Sequence, residues 1–168
     1  EGKTTIGIEV PNIQKERVRL KELMSNDKSK GMNLPMFLGK DASGEPLVAD
    51  LTRMPHMLIA GYTGSGKSVC INTIIMSWLY TKRPDELKLV LVDPKMVELS
   101  QFADIPHLMC PVVTDTGKAA AILEWAVTKM EERYELFKEA MVRDIATYNL
   151  LRDEEKFEIF KPADDVER

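Results

Sequence analysis

The run Gly61-Tyr62-Thr63-Gly64-Ser65-Gly66-Lys67-Ser68 satisfies G-x-x-x-x-G-K-[ST] at every fixed position. Each residue type there has a physical task. A loop wrapped around phosphate oxygens leaves no room for side chains, so Gly61, Gly64 and Gly66 remove them and permit positive φ. The freed backbone N–H groups form a concave anion nest. The helix that follows adds the partial positive charge of its N-terminus. Lys67 brings a mobile ammonium to the β- and γ-phosphates, and Ser68 offers a hydroxyl to Mg²⁺. The nucleotide-contacting set is therefore Gly61, Tyr62, Thr63, Gly64, Ser65, Gly66, Lys67, Ser68 and Val69. Lys67 and Ser68 stand closest to the chemistry, with Ser68 the metal ligand; the cofactors implied are ATP and Mg²⁺.

Other side chains are open to more than one use. Asp93 ends an apolar run, where phosphate-loop proteins often place a Mg²⁺-linked carboxylate. It reads as that carboxylate, as a group behind it, or as the cap of the Pro94 turn. Lys95 faces either phosphates or solvent. Cys70, in the first turn of the phosphate-binding helix, has either a lowered pKa or a buried inert thiol, and Cys110 invites the same reading. His56 and His107 have no metal-ligand spacing around them and read as packing or hydrogen-bonding residues.

A phosphate loop needs a buried strand before it and a helix after it. Met57-Leu58-Ile59-Ala60 reads as the strand, apolar throughout and so buried on both faces as in a parallel sheet. Ser68 to Tyr80 reads as the helix, with Ile71, Ile74, Ile75, Trp78 and Leu79 at helical spacing. Pro84-Asp85-Glu86 breaks it, and Leu89-Val90-Leu91-Val92 reads as a second buried strand. Strand, helix, strand is a βαβ unit with a right-handed crossover. Upstream, Pro35-Met36-Phe37-Leu38 and Leu47-Val48-Ala49 flank a turn-rich stretch and read as a β-hairpin. Thr4 to Val10 reads as a strand, the region of Val18 to Met24 as a short helix, and Ser25 to Gly31 as a mobile polar loop. Downstream, Thr114 or Asp115 caps a long helix. Its stripe of Ala119, Ile122, Leu123, Ala126, Val127, Met130, Tyr134 and Phe137 reads as a core face, with a partner-binding face as the alternative. After Tyr148 the chain turns charged, and residues 161–168 read as loop.

Composition bounds these readings. The 168 residues allow one compact core or two small ones. Hydrophobic residues at 44% and charged residues at 30% argue against a mostly disordered chain. A net charge of −4 excludes a uniformly basic nucleic-acid coat but not a local basic patch. Residues 1–40 carry eight Lys and Arg against five Asp and Glu, whereas residues 141–168 carry five against eight. Two cysteines make no disulfide framework, so a reducing compartment is expected. No apolar run approaches the ~20 residues of a membrane span. The opening Glu1-Gly2-Lys3-Thr4-Thr5 has no initiating Met and no apolar signal core, and reads as the start of a piece processed or cut from something longer.

Further segments carry a resemblance. Gly39-Lys40-Asp41, Gly44-Glu45-Pro46-Leu47-Val48-Ala49-Asp50-Leu51 and Met54-Pro55-His56-Met57-Leu58-Ile59-Ala60-Gly61 lead into the phosphate loop. Asp93-Pro94-Lys95-Met96-Val97-Glu98-Leu99-Ser100, Ile105-Pro106-His107-Leu108, Pro111-Val112-Val113-Thr114-Asp115 and Glu131-Glu132-Arg133-Tyr134 follow it. Together they resemble the motor region of the FtsK/SpoIIIE DNA translocases, and Gly7-Ile8-Glu9-Val10-Pro11-Asn12 resembles the end of that family's α domain.

The resemblance implies an α/β fold of the P-loop NTPase class. Its RecA-like, mostly parallel sheet is flanked by helices, incomplete in this chain, and preceded by a small α+β segment. Residues 1–33 would end the α domain, and residues 34–168 would form the first part of the β domain. The resemblance also implies a homo-hexameric, ATP-driven pump for double-stranded DNA, working in chromosome partitioning at cell division or sporulation. This segment would be cytoplasmic, without membrane contact of its own, in an inner-membrane-anchored bacterial protein at the division septum. The Walker B Asp-Glu pair would lie beyond Arg168, so Asp93 is not that aspartate. Hydrolysis would draw an arginine from a neighbouring subunit, and this segment alone would turn ATP over weakly or not at all.

Rival classes make different demands. A GTPase switch needs an Asn-Lys-x-Asp element, which the sequence lacks. A phosphate-loop small-molecule kinase needs an acceptor site and an arginine-bearing lid, for which only Arg143 and Arg152 are on offer. An ATP-binding module without turnover remains the reading of a different class.

Overall fold

The computed structural model describes Ile8, Val10, residues 13–14, 16–25 and 27–160. Of the strand expected over Thr4 to Val10 only Ile8 and Val10 are among the described residues, both exposed and without strand pairing, and the loop expected over 161–168 lies outside them. The chain divides into two units, Glu1–Val90 with Gln101–Met109, and Leu91–Ser100 with Cys110–Arg168.

The first unit is built on a β-hairpin and the helix packed on it. Strand β1 (Pro35–Lys40) pairs antiparallel with β2 (Pro46–Asp50), from Pro35↔Asp50 to Lys40↔Pro46, with one irregularity between Phe37 and Gly39. The turn between them is closed by Asp41. Its carboxylate accepts the N–H groups of Ser43 and Glu45 at 2.8 and 3.0 Å, and Gly44 takes φ 84, which suits a residue without Cβ. Short helix α1 (Leu20–Met24) packs on β1 and on helix α2 (Lys67–Thr81). Along α2, Ile74 and Ile75 are buried, as are Met36 and Phe37 on β1, Leu23 on α1, and Leu89 and Phe102. Each such side chain contributes about 1.5–3 kcal/mol.

Three hydroxyls follow a four-residue spacing down α2. Thr73, Ser77 and Thr81 donate to the carbonyls of Val69, Thr73 and Ser77 at 2.8, 2.6 and 2.7 Å. That bond lets Ser77 sit fully buried without an unmet donor.

Two expectations fail here. Met57 to Ala60 forms no strand among the described residues, and Leu58 is 90% exposed. A buried parallel strand needs ladder partners on both sides, and no described segment supplies them to this one. The stretch from Ser25 to Gly31 is not a loose loop over its described part. Residues 27–29 form a 3-10 turn, and Lys28 reaches Glu45 at 2.8 Å and the Pro46 carbonyl at 3.3 Å, tying the turn to the hairpin.

The run 89–92 appears only as isolated parallel bridges. Leu89 pairs with Leu108 in the first unit, and Val92 with Val113 in the second. The second unit continues into helix α3 (Thr116–Glu139), capped by Asp115, whose carboxylate accepts the Lys118 N–H at 2.8 Å. The helix ends at Met141, left-handed at φ 52, with bonds from Val142 to Phe137 and from Met141 to Lys138 that satisfy the last carbonyls. The apolar stripe of α3 is not a core. No residue of the helix is buried, and Leu123 and Tyr134 are 67% and 59% exposed. Of that stripe, Phe137 alone has a ring partner among the described residues, Tyr148.

Two further helices, α4 (Ile145–Leu150) and α5 (Asp153–Ile159), occupy the charged end that the sequence left unassigned. Asp144 caps α4 through the N–H and hydroxyl of Thr147. Tyr148 stacks obliquely between Phe137 and Phe160, with Lys156 Nζ 5.4 Å from its ring centre.

One carboxylate ties the hairpin ends together. Asp50, 7% exposed, accepts the N–H groups of Asn33, Leu34 and Thr52, each at 3.0 Å, and the Thr52 hydroxyl at 2.8 Å. Burial alone pushes this carboxyl up. The Thr52 hydroxyl and the three backbone donors outweigh it and hold the pKa at about 2, below the ordinary 3.8. Because the folded pKa is depressed, the stabilisation is present above the unfolded value and is lost as pH falls through the folded one. Unfolding free energy should therefore drop by on the order of 2 kcal/mol between roughly pH 4.5 and pH 2. In Asp50→Asn that part of the pH slope should vanish, and neutral-pH stability should fall by about 1–3 kcal/mol, as read from urea melts across the pH range.

Candidate phosphate-binding site

The site grows from the N-terminus of α2. The first turns of an α-helix leave N–H groups without intrahelical partners, and a capping side chain or an acidic residue usually meets them. Here the N-cap is Gly66, at φ 93 and ψ 11, which has no side chain to cap with, and no acid stands in the first turn. The first backbone bond returns from Cys70 N–H to the Gly66 carbonyl at 2.9 Å. The N–H groups of Lys67, Ser68 and Val69 are thus left for a ligand.

The loop before the helix is shaped by its glycines. Gly64 and Gly66 hold φ 85 and 93, a left-handed region that costs other residues about 1–2 kcal/mol. Gly61 is required for another reason. A Cβ there would collide with the Ser65 hydroxyl and lie 3.0 Å from the Ser65 Cβ. Ser65 is in turn fixed by its N–H bond to the Tyr62 carbonyl at 3.0 Å.

The structure places every sequence-predicted site residue on this one loop and helix start. Gly61 to Lys67 and Val69 are exposed, and Ser68 is half-buried at the second helical position. Lys67 makes no ion pair or hydrogen bond with the described residues, so its ammonium is available. Cys70 is a half-buried free thiol. His56 is exposed, contrary to the packing or hydrogen-bonding role expected of it, because it lies on the uncovered stretch before the loop. His107 is buried and hydrogen-bonded as expected, its Nε2 lying 2.9 Å from the Lys82 carbonyl at the far end of α2.

Asp93, in the other unit, resolves to one of its readings. The residue is 6% exposed, and one carboxylate oxygen accepts the N–H groups of Glu98 and Leu99 at 2.9 and 3.0 Å. The Leu99 N–H is the strongest influence holding its pKa below the ordinary value, against burial, with Glu98, Lys95 and Val97 adding to it. Asp93 is the keystone of the turn from Pro94 to Leu99, where Met96 stands at φ 56. A wider donor set was invisible in the sequence because backbone amides carry no side-chain signature. Among the described residues no group of His, Cys, Asp and Glu is arranged to hold a metal ion.

Gly66→Val should lower stability by about 1 kcal/mol or more through left-handed strain, and Gly64→Ala by a similar amount. Thermal melts of both variants test this, with a silent substitution at either glycine as the contrary result. Asp93→Ala should speed amide exchange at Lys95, Val97, Glu98 and Leu99 while leaving exchange in the hairpin unchanged, as read by hydrogen-exchange mass spectrometry.

Comparison with known proteins places this geometry in a lineage. The profile of the FtsK/SpoIIIE family matches residues 19–164. The chain is 53% identical over 152 residues to a DNA translocase FtsK of Clostridium tetani, covering 89% of this chain and 20% of that protein. It is 49% identical over 155 residues to the DNA translocase FtsK of Haemophilus influenzae, 91% of this chain and 29% of that one. With the DNA translocase SftA of Bacillus subtilis it shares 53% identity over 155 residues, 91% of this chain and 16% of the relative. The chain thus spans about a fifth of the length of the first of these relatives. With its phosphate loop, its following helix and the flanking segments all inside the matched region, the chain belongs to the FtsK/SpoIIIE family.

Proposed function

We propose that this chain is the ATP-gripping part of a motor that drives double-stranded DNA. The observation that carries the proposal is the uncapped start of α2. Three unpaired N–H groups, a left-handed glycine on each side of Ser65 and an unpartnered Lys67 converge on one concave loop. Such a cradle fits a polyphosphate and fits little else.

The residues present suit ATP with Mg²⁺. The N–H groups of Lys67, Ser68 and Val69 orient the phosphates, and Gly61 leaves room for Ser65 behind them. Lys67 neutralises charge on the β- and γ-phosphates, and Ser68 supplies the metal-facing hydroxyl. Bound Mg²⁺ adds charge neutralisation on the same oxygens. Asp93 takes no part as a metal ligand, because its carboxylate is committed to the backbone of its own turn.

The relatives are named DNA translocases, and family membership supports the phosphate-loop NTPase class for this chain. In the same reading, residues 1–33 close an α domain and 34–168 open a RecA-like β domain. The parallel bridges Leu89↔Leu108 and Val92↔Val113 fit the start of a parallel sheet. The complete protein works as a hexamer on the cytoplasmic side of the division septum, in chromosome partitioning. No described helix is long and apolar enough to cross a membrane, which fits a segment that does not itself touch one. The carboxylates that activate water lie on a later strand of the family's motor.

Lys67→Ala should lower ATP affinity at least tenfold with fluorescent ATP as the probe, leaving the thermal melt unchanged. Duplex-stimulated ATP hydrolysis should appear in a chain extended beyond Arg168 and be near background in this one. Equal, robust hydrolysis by the shorter chain, or normal hydrolysis by Lys67→Ala, would sink the assignment.

A further inference from the structure

We infer that Arg17 and Arg19, continued by Lys21, form a contact strip for the phosphate backbone of double-stranded DNA. The inference rests on the translocase reading above and assigns residues to it.

The strip begins just before α1. Arg19 has φ −101 and ψ 137 and is the residue before α1. Glu16, itself exposed, lies 3.4 Å from the Nζ of Lys40 on β1. Arg17 and Arg19 are both exposed. Neither side chain makes an ion pair or hydrogen bond with the described residues, nor does the side chain of the exposed Lys21 that follows in the first turn of α1.

Pairing makes this strip unlike many surface cations of the chain. Arg83, Lys129, Lys138 and Arg152 each pair with an acid two or three residues away. The nearest acid before Arg17 is Glu16, and Lys40 has already claimed it. Glu22 follows Lys21 directly, but one step along a helix turns it about 100° aside. The cations are thus left uncompensated in a chain whose net charge is −4, within a region where eight Lys and Arg face five Asp and Glu.

Charge favours a nucleic-acid backbone, whose phosphates offer a dense, regular row of anions to adjacent cations. Arginine suits such oxygens because its planar fork donates two parallel bonds. Contact of this kind positions without reading sequence, as a protein that travels along DNA requires.

The test is duplex binding by anisotropy across about 50 to 200 mM salt, with fluorescent ATP binding measured alongside. Arg17→Ala with Arg19→Ala should make the slope of log affinity on log salt shallower by about two. Over that range the unsubstituted protein should then lose roughly tenfold more affinity than the variant. ATP binding and the thermal melt should not move, and Arg17→Lys with Arg19→Lys should keep the slope. An unchanged slope in the alanine variant overturns this inference alone. So does an unchanged slope with weakened self-association in sedimentation, which would make an acidic surface of a second copy the occupant. No duplex binding by the unsubstituted protein overturns the translocase reading, and this inference with it.

Discussion

What this chain offers to a phosphate depends on one mechanical fact: α2 has a bare N-terminus and a buried body. An anion site made of backbone N–H groups works only if those groups stay where they are when the ligand is absent. Ile74, Ile75 and Ser77 hold the middle of α2 in the core with Met36 and Phe37 of β1, and His107 meets the carbonyl that ends it. The N-terminus then projects from a fixed rod, and the unmet N–H groups are a property of the fold and not of a loose loop.

The same constraint explains the polar details around it. A serine with no exposed surface would be costly in a core, but the i−4 bonds of Thr73, Ser77 and Thr81 satisfy these three hydroxyls within the helix itself. The hairpin beneath is pinned by carboxylates acting on backbone donors: Asp41 at the turn and Asp50 at the open end. Asp93 does for the turn after residue 93 what Asp50 does for the hairpin. Asp93, whose place after an apolar run suggested a metal-linked carboxylate, is committed like Asp41 and Asp50 to holding a loop. In each case a charged acceptor bonding several amides is worth more than a single neutral bond.

The face of α3 shows where local periodicity stops being informative. Its stripe of Leu123, Val127, Met130 and Tyr134 has helical spacing, and the helix forms as that spacing requires. Periodicity specifies which side is apolar, not what lies against it. No residue of the helix is buried, and the relatives extend several-fold beyond the matched region. The short run Met57 to Ala60 makes the same point for strands. Hydrophobic continuity signals readiness for burial, and a strand exists only when neighbours complete the ladder.

The sequence by itself determined the phosphate loop, because each of its positions is dictated by local chemistry: glycine where φ is positive or space is short, lysine for charge, serine for a hydroxyl. It also determined α2, α3 and the hairpin, whose apolar spacing, turn residues and Asp115 cap lie within a few residues of the elements they specify. Helices α4 and α5 went unread, although Asp144 with Thr147 and the acidic run at 153–155 were capping signals in plain sight, masked by the charge around them. Only the tertiary structure decided that Asp93 serves its own turn, that Glu16 is drawn to Lys40 and leaves Arg17 and Arg19 unpaired, and that the stripe of α3 lies open. These are questions of which distant groups meet, and linear spacing carries no record of a partner that approaches through space.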